Sequence, residues 1–264
     1  MAHYIFGVAK LQLTHVGGPT TLIEVDGWRI LTDPTFDSPG RRYTFGWGTS
    51  SRKVAGPARP REVIAPVDVV LLSHDQHADN LDDAGRDLLA QAGTVVTTGP
   101  AARRLGAPNV RGLADWETTT LAAPGRPPLT VTATPARHGP KFSGPITGKV
   151  NGFALHRRDE DTAALWMSGD TVLYDGLREV ASRIPVDVAL LHLGGVRFGF
   201  TGPVRFTMTA RDSIELIRLL RPRVVVPVHY EGWTHFREPE VVARQTLSEV
   251  GKVRWLTPGE RTEV

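Results

Sequence analysis

The chain has 264 residues, of which 41% are hydrophobic and 22% are charged, a composition typical of a folded globular protein. No stretch approaches the roughly 18 uninterrupted apolar residues that a membrane-spanning helix needs, and the absence of cysteine excludes disulfides and thiolate metal ligands. The formal charge of +3 favours an anionic substrate, but the arginines are spread along the chain, so no nucleic-acid partner is expected.

The first quarter of the sequence predicts a β-meander followed by a long excursion. Alternating apolar residues, with an Asp-Gly hairpin pair at 26–27, indicate three strands at 11–15, 21–25 and 28–32. Residues 35–62 are rich in glycine, proline, arginine and serine, and connections of this length are usually functional or mobile. The aromatic residues of this segment, Tyr43, Phe45 and Trp47, are expected either to line the mouth of a substrate site or to pack onto the core.

From Val67 onward, predicted strands and helices alternate, which indicates an α/β fold. Thr209 and Asp212 have the spacing of a capping box at the start of a helix, and Pro227 places its strand at an edge or an end. Two sheets with outer helices in a single domain over 1–264 explain this order economically. The predicted helices span 82–91, 100–105, 173–183, 209–220 and 238–250, and the predicted strands lie at 69–72, 94–97, 129–134, 151–157, 163–168, 186–192, 224–228 and 253–256, with two more between 109 and 128.

The segment after the strand at 69–72 has the highest concentration of potential metal ligands in the sequence. The apolar run ends at Ser73, and two histidines, three aspartates and an asparagine follow within residues 74–82. Imidazole and carboxylate groups gathered at a strand end are ligands that zinc, manganese and iron prefer. The segment therefore predicts part of a metal site.

Further candidate ligands follow later strands, each just past an apolar run. His138 follows the strand ending at Thr134, Asp170 follows the strand ending at Ser168, and His229 directly follows Val228. Strand ends are places where a rigid backbone can aim several side chains at one point. We therefore expect these loops to meet around one or two cations.

This ordered set resembles the metallo-β-lactamase fold superfamily, which carries a His-x-His-x-Asp-His signature, then a histidine, a bridging aspartate and a final histidine. Residues 22–34, 168–171 and 227–230 are similar to one branch, that of ascorbate-6-phosphate lactonase-like and N-acyl-phosphatidylethanolamine phospholipase D-like metal-dependent hydrolases. The resemblance covers nearly the whole chain. It implies an αββα four-layer sandwich, in which two mixed β-sheets are flanked by helices, as one domain.

The chain departs from the signature at two positions. An ungapped match puts Asp75 at the first signature histidine and Asn80 at the third. Asp75 is a competent ligand, harder than imidazole, and would favour manganese or iron, whereas a one-residue bulge would bring His74 instead. We prefer Asp75, and Asn80 is either a poor ligand or a helix N-cap.

The resemblance then implies two ligand sets and several supporting residues. Asp33 is expected to brace the metal loop, His192 to lie behind the ligands or contact substrate, and Tyr230 or His235 to polarise the substrate oxygen. The implied first metal site holds Asp75, His77, His138 and Asp170, and the second holds Asp79, Asp170 and His229, with His74 and Asn80 less certain.

The implied activity is metal-assisted hydrolysis of an ester, lactone or phosphodiester in a small, anionic molecule. One or two divalent cations (zinc, manganese or iron) would activate water, Asp170 would bridge them, and Asp79 would orient the nucleophile. Two alternatives remain open at this stage. The altered signature could leave a single iron that performs oxygen or thiol redox chemistry, or the chain could be a degenerate relative that binds without catalysing.

The sequence also leads to predictions about binding partners and cellular location. The partner is a small-molecule substrate, and a homo-oligomer is compatible with the composition. Residues 1–10 lack the basic start and long apolar core of a secretory signal, and cysteine is absent, so a cytoplasmic protein is expected.

Overall fold

Two mixed β-sheets carry the fold in the computed structural model, which describes residues 11–46 and 48–264. Trp47, one of the predicted aromatic residues, lies outside the described residues. The strands are β1 (Gln12–Gly17), β2 (Thr20–Val25), β3 (Trp28–Thr32), β4 (Arg42–Gly46), β5 (Thr49–Arg52), β6 (Val69–Leu71), β7 (Thr94–Thr98), β8 (Val110–Leu113), β9 (Thr118–Leu121), β10 (Leu129–Pro135), β11 (Asn151–Arg157), β12 (Ala163–Met167), β13 (Val186–His192), β14 (Val224–Val228) and β15 (Arg261–Glu263).

Short helices connect and cover these strands. None of the helices in the described part of the chain combines the length and apolar character needed to cross a membrane. They are α1 (Arg61–Ile64), α2 (Asp83–Leu89), α3 (Gly99–Leu105), α4 (Gly144–Thr147), α5 (Asp175–Arg183), α6 (Ala210–Leu220) and α7 (Glu240–Leu247), with 3₁₀ turns at Gly199–Thr201 and Ser248–Val250.

The sheets differ in strand number but share a mixed topology. The first has the order β15-β1-β2-β3-β6-β7-β8, with parallel pairing from β3 through β8, and the second has the order β14-β13-β12-β11-β10-β9, with parallel pairing from β12 through β14. The hairpin of β4 and β5 forms a separate small sheet.

The core has three apolar layers because the central strands are buried on both faces. In β13, Val188 and Leu190 face the other sheet, while Ala189 and Leu191 pack with residues of α5, α6 and α7. The outer face of the first sheet packs in the same way against α2, through Leu88. Parallel strands covered on both faces are expected to be apolar throughout. The predicted four-layer αββα sandwich is confirmed.

Most predicted elements are confirmed, and the exceptions lie outside the sheet centres. Pro227 does lie in an edge strand, and Thr209 and Asp212 form the predicted capping box. The prediction of a strand at 253–256 is wrong, because Val253 forms an isolated bridge to Val225 and the last strand is β15. The N-cap of α2 is Asp82, not Asn80, since the Asp82 side chain accepts from the Gly85 N–H.

The direction of the strands explains why the candidate ligands meet. β12, β13 and β14 are parallel, and β10 runs the same way because two antiparallel pairings separate it from β12. β3 and β6 are parallel in the other sheet. The segments at the carboxyl ends of these six strands therefore share an edge of the sandwich, and they carry Asp33, residues 73–80, His138, Asp170, His192 and His229.

A buried ion pair fastens the excursion at 35–62 to this edge. The Lys53 ammonium donates to Asp82 Oδ2 at 2.7 Å, and both side chains are almost completely buried. The Asp82 carboxylate also accepts from the backbone N–H groups of Phe36, Asp37 and Gly85 at 2.7–2.9 Å. Four donors on one carboxylate make Asp82 the point that joins the excursion to α2.

Replacing Asp82 with alanine is expected to lower the free energy of unfolding by about 3–5 kcal/mol, because the buried Lys53 then loses the carboxylate to which it donates. Chemical denaturation followed by circular dichroism measures the change. The control is Asp83→Ala, which removes a largely exposed carboxylate paired with Arg41 and is expected to cost less than about 1 kcal/mol. Equal losses in the two variants would contradict this assignment.

Candidate metal centre

Three histidine side chains converge where β6 and β10 end. His74 Nε2 lies 3.2 Å from His77 Nδ1, and His138 Nε2 lies 3.1 Å from the same atom. All three residues are buried. Two nitrogens bound tetrahedrally to one zinc ion would lie about 3.3 Å apart, given a bond of 2.0–2.1 Å. The spacing of these nitrogens therefore fits a shared cation.

The protonation of this trio also suits a cation. His138 Nδ1 lies 2.8 Å from the carbonyl oxygen of Phe206, which can only accept, so the neutral ring has its lone pair on Nε2. Burial, reinforced by His77, lowers the pKa of His138 to about 3. Burial also lowers the pKa of His77, and it lowers that of His74 well below the usual range, with His77 and His138 adding to the effect. The three rings are neutral at physiological pH, as metal ligands must be.

A second group lies beside the first and combines two carboxylates with one imidazole. His229 Nε2 is 3.4 Å from Asp79 Oδ2 and 3.5 Å from Asp170 Oδ2, and all three side chains are buried. Asp170 Oδ2 is also 3.9 Å from His138 Nε2, so this carboxylate lies between the two groups. In each group, one donor atom from every residue lies within 4.8 Å of the others.

Local backbone geometry directs His229 into this group. His229 follows β14 with a φ of 58°, which is uncommon for a residue other than glycine, and its N–H donates to the Gly18 carbonyl at 2.8 Å. The ring packs against Phe236, with a centroid separation of 4.4 Å.

The second group passes a direct test of whether it fits a cation. Asp79 Oδ1, Asp170 Oδ2 and His229 Nε2 are buried and have no hydrogen-bond partner. Buried polar atoms are normally paired, and a cation bound between these three residues would supply the missing partner. Burial and the charge of Asp79 outweigh the attraction of His229 and raise the pKa of Asp170 to about 6. Burial opposes the charge of His229, but the carboxylates of Asp170 and Asp79 raise its pKa to about 9. A divalent cation would take the place of that proton.

The structure pairs Asp75 with Arg104, and the choice between Asp75 and His74 as a ligand stays a prediction. The Arg104 guanidinium from α3 donates to both carboxylate oxygens of Asp75, with Nε at 2.9 Å from Oδ2 and Nη2 close to Oδ1. Asp75 belongs to neither convergent group, and His74, the alternative that needs a one-residue bulge, reaches the first group instead.

Behind the ligands, Asp33 and Asn80 form a buried network. Asp33 Oδ1 accepts from the Ser73 N–H at 2.6 Å, and Oδ2 lies 3.2 Å from His192 Nε2. Asn80 Nδ2 lies 3.4 Å from oxygen atoms of Asp33, Ser73 and Asp170. These contacts attach Asp33 to the start of the loop that carries His74 and His77, and its role in bracing the metal loop stays a prediction.

Of the two remaining candidates, His235 lies near the site and Tyr230 lies away from it. His235 Nε2 lies 2.9 Å from Asp79 Oδ2, and its Nδ1 lies 2.5 Å from Ser51 Oγ on β5. Tyr230, by contrast, packs against Trp255 in the layer of α5 to α7, with a centroid separation of 5.2 Å. The Tyr230 ring therefore packs in the outer layer while its neighbour His229 faces the ligand groups, and a role for Tyr230 in polarising the substrate stays a prediction.

A small pocket of about 30 Å³, enough for one or two waters, opens onto both groups. Its walls include three phenylalanines from three different segments, and the sequence-based predictions missed two of these, Phe198 and Phe206. No local pattern marks those two residues, since they come from irregular chain between β13 and α6. None of the described residues at this pocket is a lysine or an arginine. The lining consists of Phe45, Thr49, His77, Asp79, His138, Ile146, Thr147, Val196, Phe198, Phe206 and His235.

Comparisons with known proteins agree with this architecture. A protein-family model described as "Beta-lactamase superfamily domain" matches residues 28–230. A curated relative, a UPF0173 metal-dependent hydrolase from Carboxydothermus hydrogenoformans, is 29% identical over 229 residues, which cover 84% of this chain and 86% of the relative.

Two solved structures are similar over nearly their whole length and so share the fold. A possible metal-dependent hydrolase from Veillonella parvula superposes with a TM-score of 0.80 at 19% identity, covering 97% of this chain and 100% of the other. The isothiocyanate hydrolase from Delia radicum gut bacteria superposes with a TM-score of 0.77 at 24% identity, covering 95% and 98%.

Proposed function

The chain belongs to the family of beta-lactamase superfamily domains and is a metal-dependent hydrolase, and we propose that it cleaves an ester or lactone in a small, uncharged molecule with an apolar group. The observation that carries this proposal is the pair of convergent ligand groups facing a pocket with phenylalanine walls, which would have to widen from its volume of about 30 Å³ to admit the substrate. The proposal assigns His74, His77 and His138 to one cation, and Asp79, Asp170 and His229 to a second.

The pocket favours an uncharged substrate over the anionic one that the net charge suggests. The +3 formal charge is a property of the whole surface, whereas the described walls of the pocket offer Phe45, Phe198 and Phe206 and no cationic side chain. Apolar walls stabilise a hydrocarbon group and leave a second charge on the substrate unpaired. A phosphodiester, which is anionic, therefore ranks below an ester or lactone.

The protein's own residues supply positioning and the exclusion of water. When bound, divalent cations lower the pKa of water and polarise the oxygen of the substrate. Asp79 Oδ1 is buried and unpaired, so it can orient the attacking water by accepting a hydrogen bond from it. Burial opposes the charge of Asp79, but His235 and His229 outweigh burial and hold the pKa of Asp79 well below its usual range, which makes it a weak base. Asp170, between the two groups, holds them at a fixed separation. Phe45, Phe198 and Phe206 exclude bulk water from the reacting carbonyl.

Two complete groups favour two-cation hydrolysis over the single-iron alternative. Each group presents three donor atoms, although the signature is altered at two positions. The mixed nitrogen and oxygen donors suit zinc, manganese or iron, and we propose one of these as the native metal. We also propose that the enzyme acts in the cytoplasm as one domain, supported by the absence of cysteine and by a core shared between both sheets.

The proposal is tested by elemental analysis of the purified protein together with a hydrolysis panel. The panel pairs uncharged aryl esters, lactones and an aryl isothiocyanate with an anionic aryl phosphodiester. We expect two metal equivalents per chain, hydrolysis that is lost on chelation and restored by metal, and a kcat/KM at least about tenfold higher for an uncharged ester or lactone. Cleavage of the phosphodiester alone would overturn the substrate class, and a single iron with no hydrolysis would favour redox chemistry.

Placing a cation at the pocket rim is expected to change the preference for substrate charge. Ile146 lines the pocket and is 38% exposed, so an arginine there can be accommodated. Ile146→Arg should raise kcat/KM for an anionic ester, relative to its uncharged counterpart, by about tenfold. The same substitution at Val241, exposed on α7, is the control and should leave the ratio unchanged. Equal shifts in both variants would show that whole-protein charge, and not the pocket, sets the preference.

A further inference from the structure

The second ligand group has three protein donors, the number found in a zinc site that keeps one position open, and it lacks the third histidine of the signature. Asp79, Asp170 and His229 provide three protein donors, and a site closed by protein alone needs four. Asn80 occupies the position where the signature has its third histidine. The amide nitrogen of Asn80 lies 3.4 Å from three oxygen atoms and has no lone pair to offer. Its carbonyl oxygen is a neutral and weak donor.

A different histidine, from another part of the chain, contacts Asp79 of this group without being one of its three convergent donors. His235 Nε2 is 2.9 Å from Asp79 Oδ2, and that same oxygen is 3.4 Å from His229 Nε2. His235 is 2% exposed, and its ring stacks on Phe198 with an interplanar angle of 5°. Packing therefore holds the imidazole in place beside Asp79, one of the three residues whose donor atoms lack partners.

We propose that His235 is a protein ligand of the cation held by Asp79, Asp170 and His229, where it supplies the imidazole that Asn80 does not. The hydroxyl of Ser51 makes this possible. Ser51 Oγ lies 2.5 Å from His235 Nδ1 and 3.2 Å from Thr234 Oγ1. A hydroxyl can donate or accept, so it can accept from Nδ1–H and leave the lone pair on Nε2, the atom that faces Asp79.

The test measures metal content and affinity and does not depend on any substrate. Two variants separate a ligand from a hydrogen-bond donor, since His235→Ala removes both roles while His235→Gln keeps an N–H that can donate to Asp79. Asn80→Ala tests the amide as a rival ligand. His156→Ala, on β11, removes a histidine away from the site and serves as the control.

Elemental analysis of each purified protein and calorimetric titration of the chelator-treated protein with Zn²⁺ give the stoichiometry and affinity, and circular dichroism verifies folding. We expect His235→Ala and His235→Gln each to lose one equivalent, or to weaken the second binding step by roughly 100-fold or more, while His156→Ala keeps two and Asn80→Ala loses less affinity than either His235 variant. Two equivalents at wild-type affinity in His235→Gln would overturn the proposal and make His235 a donor to Asp79. Loss in Asn80→Ala with retention in His235→Ala would overturn it in favour of the amide.

Discussion

Replacing Asp170 with asparagine is expected to reduce hydrolysis by about 10⁴-fold, the size of loss seen when one member of a cooperating catalytic set is removed. Asp170 Oδ2 lies 3.5 Å from His229 Nε2 and 3.9 Å from His138 Nε2, so one buried carboxylate serves both ligand groups. Asparagine keeps the shape and removes the charge, which leaves cations in both groups with weaker partners. Single-turnover and steady-state kinetics measure the loss, and elemental analysis should show fewer than two equivalents.

The matched control is Asp175→Asn, which makes the same chemical change at an exposed carboxylate in the first turn of α5. It should keep both the activity and the metal content. A second readout follows in chelator-treated protein. The pKa of His229, raised to about 9 largely by Asp170 and Asp79, should fall in Asp170→Asn because the first of these attractions is lost. An Asp170→Asn enzyme with two equivalents and more than a tenth of wild-type activity would show that the carboxylate does not join the groups.

The fold was predictable where local pattern and burial agree. The apolar runs that became β13 and β14 are buried on both faces, and Pro227 marked an edge strand because it cannot donate to a neighbour there. The hairpin of β4 and β5 within the excursion at 35–62 was not predicted. These two strands pair with each other and carry polar residues. The last strand was misplaced because β15 is a short, polar segment that pairs with β1, which is distant from it in sequence.

The part of the candidate site that is formed by residues at strand ends could be predicted from the sequence. His138, Asp170 and His229 each follow a strand of the same direction, so the sequence order alone brought them together. The choice between His74 and Asp75 was not predictable from spacing, because the competing partner of Asp75 is Arg104, 29 residues away on α3. The phenylalanine walls of the pocket could not be predicted from the sequence either, because only tertiary packing brings these residues together.

The choice between His74 and Asp75 leads to the second large effect, a reduction of about 10³-fold in hydrolysis for His74→Ala with the loss of one metal equivalent. His74 Nε2 is one of three converging ring nitrogens, and alanine leaves His77 and His138 with an incomplete site. Asp75→Ala should keep both equivalents and nearly full activity. Because Arg104 is about half exposed, losing its pair with Asp75 should cost only about 1 kcal/mol of stability.

The two variants are adjacent in sequence and carry the same substituent, so each serves as the control for the other. Unspecific damage to the loop would lower the metal content and the unfolding midpoint of both variants. If His74 is a ligand and Asp75 is not, His74→Ala should lose one cation. Asp75→Ala should keep both cations and lose no more than a small amount of stability. If Asp75→Ala loses the equivalent and His74→Ala keeps it, then Asp75 must leave Arg104 when the cation binds, and the ungapped match to the signature would hold after all.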